Sequence, residues 1–281
     1  MNKMKTIWKL SRMELMQLMR STKIIILALF AIFINIQIIT PLRALSITME
    51  HKLSIFEPFA AIGNSGVVVL ILPLFFITMM ADFPREGESR YFYQIRCSKR
   101  TWVMGQIVYG VECSIMLTLF VFAASVLLSL DFISWSPDYS YAVTRYVALF
   151  PEWAGEYVVQ LIPENLYNQI PLPVAVVHTV LLLILYFIML AMLILVFSLV
   201  KKKIAGLFLD GIIILLGTIT CAGRMAYMWV FPMAHTITWL HYAEYQSKPV
   251  LPLCDSYLYF SVINAAFIVL SIIISKRYNG I

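Results

Sequence analysis

Charged residues are scarce in this sequence: Asp, Glu, Lys and Arg make up 13% of its 281 residues. An average soluble domain carries about 25% charged residues. Hydrophobic residues make up 61% of the chain, and the mean hydropathy is +0.86. This small number of charged side chains cannot cover the surface of a water-soluble globule of this size. The chain therefore needs lipid as its solvent. We therefore predict an all-α polytopic membrane protein.

Motifs for catalysis and for metal or nucleotide binding are also missing. Gly105 and Gly110 have the glycine spacing of a phosphate-binding loop, but the lysine that should follow is absent. The four histidines form no H-E-x-x-H, there is no G-x-S-x-G, and the four cysteines form no C-x-x-C. We expect no enzyme activity and no cofactor in this chain. Whether Cys221 and Cys254 form a disulfide stays open.

Six apolar stretches approach or exceed the roughly 20 residues that a helix needs to cross the hydrocarbon core. The third and fourth are long enough to tilt or to project beyond the bilayer. The stretches lie near residues 23–42, 61–80, 103–130, 174–200, 204–222 and 257–275. The sequence therefore predicts a single transmembrane domain with six spans over residues 1–281.

Basic residues are distributed unevenly around these spans. Sixteen of the 21 Lys and Arg residues lie in the amino-terminal segment, residues 81–102, the turn after the fourth span and the tail. The positive-inside rule then places both termini in the cytoplasm. Because the basic residues sit at the ends of apolar runs rather than on a soluble face, no nucleic-acid partner is expected, despite the net charge of +6.

The amino-terminal segment, residues 1–22, fits an amphipathic helix. At about 100° per residue, one arc is apolar and the adjoining arc is basic. The apolar arc holds Met4, Ile7, Trp8, Leu15, Leu18 and Met19, and the basic arc holds Lys5, Lys9, Arg12 and Arg20. This pattern predicts a helix in the cytoplasmic membrane interface, in contact with lipid. The alternative is a basic topogenic leader whose amphipathic pattern is accidental.

Residues 81–102 form the longest predicted cytoplasmic connection. Two spans can be joined by about four residues, so a loop of this length with aromatic and mixed charged side chains favours docking to another protein. The candidate docking residues are Glu86, Glu88, Tyr91, Phe92, Tyr93 and Arg96. The alternative is a segment that rests its aromatic side chains on lipid headgroups.

The outer side carries two larger segments, residues 131–172 and 224–256. The second is rich in interfacial aromatic residues and contains Pro232, which is typical of a broken or re-entrant hairpin. A pore-capping role and a plain aromatic belt are both compatible with this composition.

Glu112 and Asp210 lie within or beside apolar spans. Intramembrane carboxylates are costly and frequently functional, so the pair is a candidate intramembrane polar site. The alternative is structural pairing, because Asp210 follows Lys203 by only about 10 Å along a helix.

This arrangement resembles the permease subunits of the ABC-2 family of ABC transporters. The shared features are the interfacial first helix, six spans, the second-to-third cytoplasmic loop, a short fourth-to-fifth turn and a re-entrant outer segment. Phe83, the stretch Glu86-Gly87-Glu88 and the stretch Ser98-Lys99-Arg100 match the loop pattern of that family. Gln106 stands near the place where the family often has a lysine, which weakens the residue-level match.

The resemblance implies an exporter of a peptide, drug or lipid-like substrate in the bacterial plasma membrane. Its partners would be a separate ATP-binding cassette subunit, which holds the ATP and Mg²⁺, and a second permease copy or homologue. Residues 81–102 would be the coupling loop. A different class stays open, namely a non-transporting immunity or scaffold protein that binds a toxin or partner.

Overall fold

The computed structural model of the chain describes residues 3–84, 97–242 and 249–277. Five helices in these ranges are long and apolar enough to cross a membrane, and a bent pair of helices provides a sixth candidate. The prediction of an all-α polytopic membrane protein is therefore confirmed. Before the first of these helices, α1 (Lys3–Met19) forms where the amphipathic pattern predicts it.

The first candidate span is longer than the span predicted at residues 23–42. It consists of α2 (Ile24–Ile34), a π-helical turn (Asn35–Ile39) and α3 (Thr40–Met49), which form one continuous rod. The wide turn lies directly before Pro41, which has no N–H to donate and whose ring crowds the carbonyl four residues earlier. The π turn accommodates the proline without ending the helix.

Residues 61–80, predicted as one span, are divided between two helices. These are α4 (Glu57–Asn64) and α5 (Gly66–Met79), and they meet at an angle of 82°. The Ser65 hydroxyl accepts a hydrogen bond from the Val68 N–H at 3.4 Å, which caps the start of α5. At 1.5 Å per residue α5 is about 21 Å long, so it is shorter than the hydrocarbon core.

The other long helices overlap the remaining predicted spans. They are α6 (Lys99–Leu127), α10 (Leu172–Leu199), α11 (Lys203–Ala222) and α13 (Leu253–Arg277). The centre of the bundle is α10: 67% of its most apolar stretch is buried, against 22% in α13. Because α10 packs against α4, α5, α6, α11 and α13, the core of the bundle is built around it.

One end of the bundle collects basic side chains and is called the basic end below. There, Lys23 Nζ lies 2.7 Å from an Asp82 carboxylate oxygen and 3.3 Å from the Met79 carbonyl oxygen. Lys203 Nζ lies 3.5 Å from the carbonyl oxygen of Pro84. These contacts bring the start of α2, the end of α5 and the start of α11 to the same level.

The opposite end, called the far end, is covered by short elements. Strands β1 (Leu53–Ser54) and β2 (Ile133–Ser134) pair in parallel. The predicted outer segments form α7 (Tyr141–Leu149), α8 (Tyr157–Leu161), α9 (Glu164–Tyr167) and α12 (Pro232–Thr236), with 3₁₀ turns at 151–153, 226–230 and 238–241. The buried Glu57 carboxylate joins this layer to α4, because it accepts backbone hydrogen bonds from Ser54 and Ser140, both at 2.7 Å.

Candidate functional site

The predicted docking residues Glu86, Glu88, Tyr91, Phe92, Tyr93 and Arg96 lie outside the described residues. Both flanks of this connection are described. Phe83 is buried, and its ring centroid lies 5.5 Å from that of Tyr109 on α6. At the other flank, the Ser98 hydroxyl accepts a hydrogen bond from the Thr101 N–H at 3.3 Å and caps α6.

The contact between Phe83 and Tyr109 shows that α6 extends past the point where the chain leaves α5. About ten residues of α6 precede Tyr109, and they correspond to roughly 15 Å of helix. Residues 99–108 therefore project at the basic end, past the point where the chain leaves α5. We call this segment the α6 projection.

The first helix packs against the α6 projection. A Cβ atom at Gly105 would lie 3.0 Å from the Leu10 Cβ, so the two helices approach closely where α6 has no side chain. The buried face of α1 consists of Leu10, Ser11, Glu14 and Leu18. Met4 and Trp8, from the predicted apolar arc, are instead 62% and 56% exposed. The predicted helix is present; of its apolar arc, Leu18 is buried against the bundle, whereas Met4 and Trp8 stay on the surface.

Glu112 lies in this helix–helix contact. Its carboxylate accepts a hydrogen bond from the hydroxyl of Ser11, which is fully buried. Glu14 is buried on the same face of α1, and the charges of Glu14 and Glu112 both act on the Cys113 thiol. Glu112 follows Tyr109 by less than one helical turn, so it lies close to the level at which the chain leaves α5.

Asp210 occupies a different contact, the seam between α10 and α11. The buried residues of α11 are Gly206, Asp210, Ile214, Gly217 and Thr220, and they form one stripe along the helix. A Cβ atom at Gly206 would lie 2.7 Å from the Phe197 Cβ, so this stripe faces α10. The Asp210 side chain is fully buried, and neither carboxylate oxygen has a hydrogen-bond partner in the part of the chain that the structure describes.

Glu112 and Asp210 therefore do not share one helix–helix contact. Glu112 has a hydroxyl partner across α1 and α6, whereas Asp210 has no hydrogen-bond partner among the described residues. Lys203, which could have paired with Asp210, contacts the Pro84 carbonyl. Of the two predicted acids, Asp210 is therefore the one whose carboxyl oxygens have no hydrogen-bond partner among the described residues.

Two histidines at the far end form a buried polar cluster that their sequence spacing does not predict. His235 Nδ1 lies 2.7 Å from the Ser256 hydroxyl and His235 Nε2 lies 2.8 Å from the Trp229 carbonyl oxygen. His241 Nδ1 lies 2.9 Å from the Leu251 carbonyl oxygen. Burial lowers the pKa of His235 to about 4, so this side chain is neutral at physiological pH and its Nε2–H donates to Trp229.

The surface near the end of α6 carries an apolar groove of roughly 640 Å³. Phe56, Phe122, Leu127 and Trp135 are among the residues that line it.

Cys221 and Cys254 are not bonded to each other, and all four cysteines are free thiols. Within residues 3–84, 97–242 and 249–277, no three His, Cys, Asp or Glu side chains are placed to hold a metal ion.

Comparison with known proteins gives no relative. Neither a family model, nor a curated protein, nor a solved structure matches this chain. The fold and the side-chain contacts described above are therefore the basis for a functional proposal.

Proposed function

We propose that this chain is the membrane-spanning permease subunit of an ABC transporter of the ABC-2 type, powered by a separate ATP-binding subunit. The observation that carries the proposal is the α6 projection at the basic end, braced by α1. A subunit that is moved by an external motor needs a stiff element outside the bilayer to receive the force. A ten-residue helical extension supported along its side by a second helix meets that requirement.

The position of the predicted docking loop supports the same proposal. Residues 85–96 connect Pro84, where the chain leaves the bundle, to Ser98, which caps the start of the α6 projection. An ATPase that binds Tyr91 and Phe92 would therefore act on the first turn of α6. A movement of the ATPase would be transmitted to the core of the bundle, because α6 packs against α10.

The remaining partners follow from the outer surfaces of the bundle. The exposed residues of α1 include Lys5, Lys9 and Arg12 together with Met4 and Trp8, a combination that suits anionic headgroups beside an acyl-chain boundary. The helices α11 and α13 bury less than a third of their most apolar stretches. Their free faces would contact lipid and a second permease copy in the plasma membrane.

The test is co-purification of the permease with a candidate ATP-binding subunit, followed by measurement of ATP hydrolysis. Tyr91→Ala combined with Phe92→Ala should lower association by roughly 2–4 kcal/mol, the usual size of a hot-spot truncation. Trp135→Ala is the matched control, because this aromatic side chain is 86% exposed at the far end. If wild-type permease recruits no ATPase, or binds a toxin without supporting nucleotide hydrolysis, an immunity or scaffold function replaces the transporter.

A further inference from the structure

A cavity at the far end combines one acidic side chain with three aromatic rings. It lies between α3 and the segment that runs from α7 to α8, and its volume is roughly 420 Å³. Its lining includes Tyr146, Trp153, Glu156 and Tyr157, together with Thr48 of α3. Thr48 and Glu156 are exposed, so the cavity opens to the surface. We call it the Glu156 cavity.

Contacts with neighbouring side chains hold the three rings in place. The Tyr157 hydroxyl lies 2.8 Å from the Ser65 hydroxyl at the start of α5. The Trp153 ring stacks on Phe150, with 4.6 Å between the ring centroids. The Tyr146 ring centroid lies 5.9 Å from that of Trp153. Because these side chains are already fixed, a ligand that binds here pays little for ordering them.

The Glu156 carboxylate is positioned by one of the rings and keeps its charge uncompensated. The Tyr146 hydroxyl donates a hydrogen bond of 2.8 Å to Glu156 Oε2. The other oxygen, Oε1, has no hydrogen-bond donor among the described residues. No described residue that lines the cavity is basic. The cavity therefore carries a negative charge that its own lining does not balance.

An acid beside aromatic rings suits an organic cation better than a metal ion. Calcium and magnesium ions need several oxygen ligands, whereas Glu156 is the one carboxylate among the described lining residues. An ammonium group is attracted to an aromatic face by about 0.5–2 kcal/mol, and its carbon substituents also bury apolar surface there. Residues 131–172 contain five acidic residues and one basic residue, so the surrounding charge also favours a cation.

We propose that the Glu156 cavity binds a small organic ammonium ion, with the charged nitrogen beside Glu156 and the carbon substituents on the aromatic rings. A soluble cation and a lipid headgroup both carry this chemistry. The cavity is accessible to both, because α3 ends a 26-residue rod that is about 39 Å long, whereas the hydrocarbon core is roughly 30 Å thick. The site goes beyond the proposed pairing with an ATPase and stands without it.

Equilibrium binding of choline to the purified protein tests the proposal. The protein is placed in phosphatidylglycerol nanodiscs, whose lipids carry no ammonium group, and binding to empty nanodiscs is subtracted. The matched ligand is the neutral analogue of choline in which a carbon atom replaces the quaternary nitrogen. We expect choline to bind at least about tenfold more tightly than this analogue. Absence of choline binding, or equal affinity for the two ligands, would overturn the proposal without the need for any variant.

Two pairs of variants separate this cavity from the general charge of the far end. Glu156→Gln keeps a carbonyl oxygen for the Tyr146 hydroxyl but removes the charge, so choline should bind at least about tenfold more weakly. Glu152→Gln is the matched control, because Glu152 is an exposed acid of the preceding turn and is not part of the lining. Trp153→Leu should weaken binding roughly fivefold, whereas Trp135→Leu should not weaken it. Equal losses in Glu156→Gln and Glu152→Gln would contradict a specific site.

The lipid composition distinguishes the two sources of the ammonium group. Replacing half of the phosphatidylglycerol by phosphatidylcholine supplies a choline headgroup that competes for the cavity. Replacement by a neutral galactolipid is the control, because it lowers the surface charge equally and supplies no ammonium group. A choline affinity that falls only with phosphatidylcholine supports the site and identifies a lipid headgroup as its occupant. The same affinity with both lipids supports the site and identifies a soluble cation.

Discussion

The hydroxyl of Ser11 donates a hydrogen bond to the carboxylate of Glu112, a residue 101 positions further along the chain. This bond joins the first helix to the part of α6 next to the basic end. The first helix is therefore packed against the bundle through the polar side chains of Ser11 and Glu14 as well as through Leu10 and Leu18. Any movement of the α6 projection must carry α1 with it or break this contact.

Ser11→Ala should destabilise the attachment of α1 by about 1–2 kcal/mol, because it leaves the half-buried Glu112 carboxylate without its hydroxyl donor. The measurement is the rate of limited proteolysis within residues 19–24, which should rise as α1 detaches. Thr22→Ala is the matched control, since its side chain is exposed in the same connection. Equal cleavage rates in the two variants would contradict the importance of this bond.

Gly63→Ala should destabilise the protein by roughly 1–3 kcal/mol, the usual cost of overpacking. A Cβ atom at position 63 would overlap the methyl group of Thr179 on α10. Thr179→Ser removes that methyl group and keeps the hydroxyl, which contacts the Ala175 carbonyl at 2.9 Å. The double variant should therefore recover most of the lost thermal stability in detergent.

The control for this pair is Gly66→Ala, because nothing lies within 4 Å of a Cβ atom at that position. Its melting temperature should equal or exceed that of the wild type, since alanine lowers the conformational entropy of the unfolded chain. If Thr179→Ser does not rescue Gly63→Ala, the close approach of α4 and α10 is not the reason why alanine at position 63 is destabilising.

The contribution of His235 to the stability of the far end should be lost as the pH falls from about 6.5 to 4. The unfolded chain binds a proton at His235 with the ordinary pKa near 6.5, whereas burial lowers the folded-state pKa to about 4. Protons then favour the unfolded state across this interval, and the loss approaches about 2–3 kcal/mol below it. The stability contributed by His235 is therefore fully present above pH 6.5.

Thermal unfolding measured between pH 8 and pH 4 checks this expectation. His235→Gln removes the titrating group, so the stability of the wild type relative to this variant should decrease as the pH falls from about 6.5 to 4. His51→Gln is the control, because His51 is exposed. The same pH dependence in wild type and His235→Gln would remove His235 from the explanation.

The orientation of the bundle is tested by cysteine labelling in a background without the four native cysteines. Trp135→Cys at the far end should react with an impermeant thiol reagent in intact cells, whereas Lys202→Cys at the basic end should react only after permeabilisation. Both positions are exposed, so access to the reagent depends on the side of the membrane. The reverse pattern would invert the topology and place the α6 projection outside the cell.

The long helices could be predicted from sequence because hydropathy reports which residues avoid water. Hydropathy does not indicate the direction of a helix axis. The bend between α4 and α5 could therefore not be predicted from the apolar stretch that contains both helices. Its signal is local: Asn64-Ser65-Gly66 places a capping hydroxyl where a new helix can begin. The extension of the first crossing to Met49 was missed because Arg43 ends the apolar run without ending the helix.

The contacts that shape the candidate sites were not predictable from periodicity. A helical wheel places Trp8 and Met4 on an apolar arc, but the buried face of α1 is selected by Gly105, which lets Leu10 approach α6. Likewise, the sequence places Asp210 close to Lys203, but only the packing of α10 against α11 shows that the acid is fully buried between helices.

The central position of α10 has a consequence for how this sequence can change over evolutionary time. Two thirds of its most apolar stretch is buried by neighbours on several sides, whereas the rod at residues 24–49 and the helices α11 and α13 each bury less than a third of theirs. A substitution on an exposed face needs only to remain compatible with lipid, but a substitution in α10 must suit several helices at once. Among natural variants of this chain, accepted changes should therefore be rarest along α10 and should occur there together with changes in its neighbours.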